Sequence, residues 1–134
     1  MTRYLTPTWF LTVGGIVLLA LGVLGYIVWN AGILEENDAF YLDNGENLAH
    51  AVLGVVALVA VGALKAQKDL LKWLVVIVGI VALFFGVYGF VVSGSDPPNI
   101  FGLANLENPL DNLLHLVVGV WALASAFMKG PAAT

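Results

Sequence analysis

Four stretches of this chain run apolar for close to twenty residues each: Trp9 to Trp29, Asn47 to Leu64, Leu70 to Val92 and Leu110 to Met128, with polar residues collected almost entirely between them. An α-helix rises about 1.5 Å per residue, so about 20 residues cross a hydrocarbon layer about 30 Å thick. Inside that layer water cannot satisfy backbone amides, and a helix satisfies them within its own segment. The pattern predicts an all-α fold, a bundle of four transmembrane helices. Thr6-Pro7 marks the first helix start, threonine as N-cap and proline at the first helical position, where no amide is needed. The connection Lys65 to Asp69 is short enough to make helices 2 and 3 antiparallel neighbours. The connections Asn30 to Leu42 and Ser93 to Glu107 are longer and contain Phe40, Tyr41 and Phe101. They are expected to fold over one mouth of the bundle, with Trp29 and Tyr41 at headgroup level and Trp9 and Trp73 as anchors at the other end.

The pattern also repeats. Asn47-Leu48-Ala49-His50-Ala51-Val52-Leu53-Gly54-Val55-Val56-Ala57-Leu58 returns 65 residues later as Asn112-Leu113-Leu114-His115-Leu116-Val117-Val118-Gly119-Val120-Trp121-Ala122-Leu123, identical at 8 of 12 positions. Gly15, Gly22 and Gly25 of the first helix return at offset 64 as Gly79, Gly86 and Gly89 of the third. The unit is a helical hairpin present twice, at 7–64 and 70–128 of a single membrane domain, 1–134. Each unit crosses the bilayer an even number of times, so both run in the same sense. A pseudo-two-fold axis along the membrane normal relates them. By that symmetry helix 2 is expected to face helix 4.

Composition agrees with a lipid solvent: 60% of residues are apolar and 10% are charged, against about 25% charged in ordinary globular chains. Charge then supplies orientation. Arg3, Lys65, Lys68, Lys72 and Lys129 all fall on one side of the four-span arrangement, and the positive-inside rule makes that side cytoplasmic, with both termini there. Glu35, Glu36, Asp38, Asp43, Glu46, Asp96, Glu107 and Asp111 fall on the other side, and Asp69 alone is internal. The expected location is the cell inner membrane. Helix 1 is expected to be retained rather than cleaved as a secretory signal, because its apolar run is too long and no A-x-A site follows. The chain has no cysteine, hence no disulfide or thiolate chemistry, and its net charge of −4 gives no nucleic-acid footprint.

Candidate chemistry lies at the acidic ends of helices 2 and 4. Asp43-Asn44-Gly45-Glu46 and Asn108-Pro109-Leu110-Asp111 each have the form of a capping box, the first residue accepting from the N3 amide and the N3 acid reaching back. Asn47 and Asn112 then fall one residue on, and His50 and His115 about 10 Å along the axis, below the headgroups. Asn47, His50, Gly54, Ala57 and Val61 form one stripe, and Asn112, His115, Gly119, Ala122 and Ala126 its twin. Small residues permit close backbone approach and polar ones need partners in lipid, so both imidazoles are expected inside the bundle.

Three readings of the pair are open. His50, His115, Asn47 and Asn112 make interhelical or loop-to-helix hydrogen bonds that fix register. Alternatively, Glu46, His50, Asp111 and His115 bind a divalent metal, zinc or a related ion. Or the histidines are axial ligands to haem or a chlorophyll-type pigment, with the glycine one turn below each making room for the macrocycle. No nucleophile beside a histidine, no H-E-x-x-H and no phosphate-cradling loop occurs, so the chain is not expected to be an enzyme.

The paired hairpins, Gly22-Val23-Leu24-Gly25-Tyr26, N-x-x-H-x-x-x-G at Asn47 to Gly54, and D-N-x-x-H-x-x-x-G at Asp111 to Gly119 resemble a family of small bacterial four-helix membrane proteins known as a domain of unknown function. The likeness spans nearly the whole chain. It implies a four-helix inner-membrane protein and singles out Asn47, His50, Asp111, Asn112 and His115. Members of that family often have a histidine where this chain has Glu46, which implies Glu46 as an oxygen donor there. The expected role is non-catalytic: an accessory or scaffold subunit that packs with other membrane proteins or with its own copies in the lipid bilayer. A cofactor-binding protein using His50 and His115 is the alternative.

Overall fold

The computed structural model describes residues 5–33, 42–96, 100–101, 105–106 and 109–128. The described residues form four α-helices, α1 Pro7–Asn30, α2 Asn44–Ala63, α3 Lys68–Val92 and α4 Leu110–Phe127. All four are long and apolar enough to cross a membrane. Their starts follow local chemistry. At α1 the Thr6 hydroxyl accepts from the Trp9 amide at 3.2 Å with Pro7 in the first turn. At α2 the capping box is complete, Asp43 Oδ1 accepting from the Glu46 amide at 2.9 Å and Glu46 Oε2 accepting from the Asp43 amide at 3.0 Å. The box extends α2 a full turn ahead of its apolar run.

The second expected capping box begins at Asn108, which lies outside the described residues. Pro109 is the N-cap of α4 and supplies no side-chain hydrogen bond, and Asp111 sits within the first turn. Asn108, Arg3, Lys129, Glu35, Glu36, Asp38, Phe40, Tyr41 and Glu107 lie outside the described residues.

Each hairpin is held by close backbone approach. Lipid tails are as apolar as leucine, so helices in a bilayer associate through van der Waals contact at small residues and not through expulsion of water. A methyl group at Gly54 would lie 2.5 Å from the Leu19 amide nitrogen and 2.8 Å from the Gly15 carbonyl oxygen. One at Gly22 would lie 2.5 Å from the Ala51 nitrogen and the Asn47 carbonyl. The second hairpin repeats these contacts at the equivalent residues: Gly119 against Leu83 and the Gly79 carbonyl, Gly86 against Leu116, Gly79 against Ala122 and Leu123. The duplication in sequence is a duplication of contacts.

The expected meeting of helix 2 with helix 4 is corrected. The extensive helix pairs are α1 with α2 and α3 with α4; α1 alone adds smaller contacts with α3 and α4, and α2 shares no such face with either. The small-residue stripes of α2 and α4 are covered inside their own hairpins. Between hairpins the core lies toward the start of α1: Phe10 and Leu11, with Leu71, Val75 and Val76 of α3 and Ala122 and Ala126 of α4. The Trp121 ring stands edge-on to Phe10 at 4.7 Å and to Trp9 at 5.6 Å, so Trp9 packs between helices, whereas Trp73 stays 57% exposed. Lys72 Nζ lies 5.0 Å over the Phe127 ring at the same end.

Candidate functional site

The residues at the opposite end of the bundle are built by the starts of α2 and α4. Asp43 uses both carboxylate oxygens there: while Oδ1 caps α2, Oδ2 accepts from the Asn105 amide at 2.8 Å. The connection before α4 is thereby clasped to the first turn of α2, and Leu106 beside it is buried. The spacing rules that find a capping box leave the second oxygen unassigned, and no sequence signal marks Asn105 as its partner. Glu46 is 6% exposed with Oε2 on the Asp43 amide, so its carboxylate is already engaged in the cap.

Asn47 and Asn112 are fully buried, at 1% and 0% exposure. Asn47 Nδ2 donates to the Leu42 carbonyl at 2.9 Å, a loop-to-helix bond. Its Oδ1 lies against Gly25, and Asn112 Oδ1 lies against Gly89 in the second hairpin. A side chain at either glycine would collide with that amide oxygen. Both asparagines therefore serve the seam of their own hairpin.

The histidines flank that seam. His50 and His115 are each half-buried. Their environments differ. His115 Nδ1 donates to the Asp111 carbonyl at 2.8 Å, and the Phe85 ring lies 6.2 Å from its own. A carbonyl carries no proton, so Nδ1 is the protonated nitrogen and the neutral ring keeps its lone pair on Nε2. His50 Nδ1 is buried and has no hydrogen-bond partner.

Two of the expected ligand arrangements lack their geometry. Among the described residues no group of three or more His, Asp or Glu side chains gathers closely enough to hold a metal ion, so Glu46, His50, Asp111 and His115 do not form a multidentate cage. The space beside Gly54 and Gly119, expected to admit a macrocycle, is filled by the Leu19 backbone and the Leu83 side chain. What the site offers is a pair of imidazoles from separate hairpins, one with a fixed tautomer and one with an unsatisfied buried nitrogen. Comparison with protein-family models, curated proteins and solved structures finds no match for the chain.

Proposed function

We propose that this chain is a non-catalytic membrane subunit, an accessory or scaffold protein that packs against other membrane proteins or further copies of itself. The carrying observation is the uneven use of helix surface. The small-residue seams are consumed within each hairpin, while α2 is joined to the rest of the bundle chiefly through α1. Its remaining flank presents Leu48, Val52, Val55, Val56 and Val59, all about half exposed or more. The exposed apolar faces of four membrane-competent helices support recognition within the bilayer. The segregation of Lys65, Lys68 and Lys72 from Asp43, Asp96 and Asp111 supports a cytoplasmic position for the turn between α2 and α3, and with it for both termini in an inner membrane. The D-N-x-x-H and N-x-x-H motifs support membership in the small four-helix family they resemble. Gentle extraction of a tagged chain from native membranes tests the reading. A discrete assembly larger than the 14.2 kDa chain with its detergent is expected, and a lone monomer at every detergent concentration contradicts it.

A further inference from the structure

We propose that the end of the bundle carrying Lys65, Lys68 and Lys72 binds the headgroup of an anionic phospholipid. The three cations fall within one short segment, and the turn between α2 and α3 is tight, the Gln67 amide donating to the Leu64 carbonyl at 2.8 Å. Lys65 is thereby kept beside the first turn of α3, where Lys68 and Lys72 are four residues apart and share a face. That face continues through buried Val75 and Gly79, the side of α3 that packs on α4. Lys68 and Lys72 therefore stand over the open end of the α3–α4 seam. The Lys72 amine shows this directly, lying 5.0 Å over the ring of Phe127 in the last turn of α4.

The charge at this end is uncompensated. Asp69 is the one acid in the segment, and among the described residues neither it nor any other carboxylate pairs with Lys65, Lys68 or Lys72. Lys65 and Lys68 are exposed, and Lys72, half-buried, rests on an aromatic face that takes none of its N–H groups as a hydrogen-bond acceptor would. The opposite end of the bundle carries Asp43, Asp96 and Asp111, so the two ends differ in sign and only this one suits an anion. A lysine ammonium binds phosphate as a point charge. The surroundings select a lipid as its source. Trp73, next to Lys72, is exposed, as tryptophan is where a helix meets the headgroups, and Leu70, Ile77 and Phe127 expose apolar surface around it. Ammonium groups above exposed hydrocarbon match a phosphodiester with its acyl chains attached, whereas a soluble anion would leave the apolar part unused. Attachment needs only that α3 crosses the bilayer, whichever side the turn faces.

The test is native mass spectrometry of the detergent-purified full chain, titrated with phosphatidylglycerol or with phosphatidylcholine of the same acyl chains, alongside the unfolding temperature. Phosphatidylglycerol should be retained about tenfold more tightly or better, and should raise the unfolding temperature more. Lys65→Gln, Lys68→Gln and Lys72→Gln should each weaken its retention about fivefold. The triple arginine variant should keep it, and Asp96→Asn should leave it unchanged; circular dichroism establishes that each variant is folded. Equal retention of the two lipids by the native chain, or undiminished phosphatidylglycerol retention by the folded triple glutamine variant, overturns the proposal. Displacement of the lipid by inorganic phosphate at equal concentration overturns it too. Either result leaves the accessory role untouched, since that role is decided by the assembly seen after gentle extraction.

Discussion

Single glycines decide how near the helices come, and their surroundings are unequal. Gly54 and Gly22 have backbone atoms where a methyl group would go, while Gly14 and Gly62 have nothing within 4 Å. Gly54→Val and Gly22→Val should therefore destabilise the folded chain by about 1–3 kcal/mol, the usual cost of forcing extra carbons into a closed contact. Gly62→Ala should be neutral or stabilising, by up to about 1 kcal/mol of helix propensity. Unfolding titrations in mixed micelles measure both, and equal losses at Gly54 and Gly62 would refute the seam. Asp43 offers a second contrast, since one oxygen caps α2 and the other holds Asn105. Asp43→Ala should cost about 1–2 kcal/mol through the cap and speed amide exchange at Asn105. Asp43→Asn, which keeps one acceptor oxygen, should lose less than Asp43→Ala in the same titration.

At the scale of elements, the hairpin is the cohesive unit and the contact between hairpins is the weaker joint. Trp121 is the main aromatic link across it, edge-on to both Trp9 and Phe10. Trp121→Ala removes two such pairs, each contributing about 0.5–1.5 kcal/mol beyond buried area. The hairpins should loosen from one another while each stays folded. Paired fluorophores at the starts of α1 and α3 should then report a broader distance distribution, with helicity by circular dichroism unchanged; a loss of helicity would place Trp121 within a hairpin's own stability. The helix number and the duplication were legible in the sequence because hydrocarbon restricts a spanning backbone to so few forms. The Thr6 and Asp43 caps were legible for a similar reason, each being a local rule three residues long. Helix partners were not, because a stripe such as Asn47, Gly54 and Ala57 states that something comes close without stating which helix. The difference between His50 and His115 was also hidden: the motif is the same, and only the placed rings show one nitrogen bonded and the other bare.

For the whole molecule, apolar surface on every helix face not covered by a partner makes the bilayer its solvent, and duplication makes both hairpins cross in the same sense. Ala31 after α1 and Ser95 after α3 stand at equivalent places in the two units, 64 residues apart, and Gln67 lies in the turn at the opposite end. The native chain contains no cysteine, so a single introduced thiol reports its own position without background. The direct measurement is labelling of Ala31→Cys, Ser95→Cys and Gln67→Cys by a membrane-impermeant thiol reagent, in intact cells and in inverted vesicles. The account predicts that Ala31→Cys and Ser95→Cys react in intact cells and Gln67→Cys only in inverted vesicles. Reaction of Ala31→Cys and Ser95→Cys from opposite sides would contradict it.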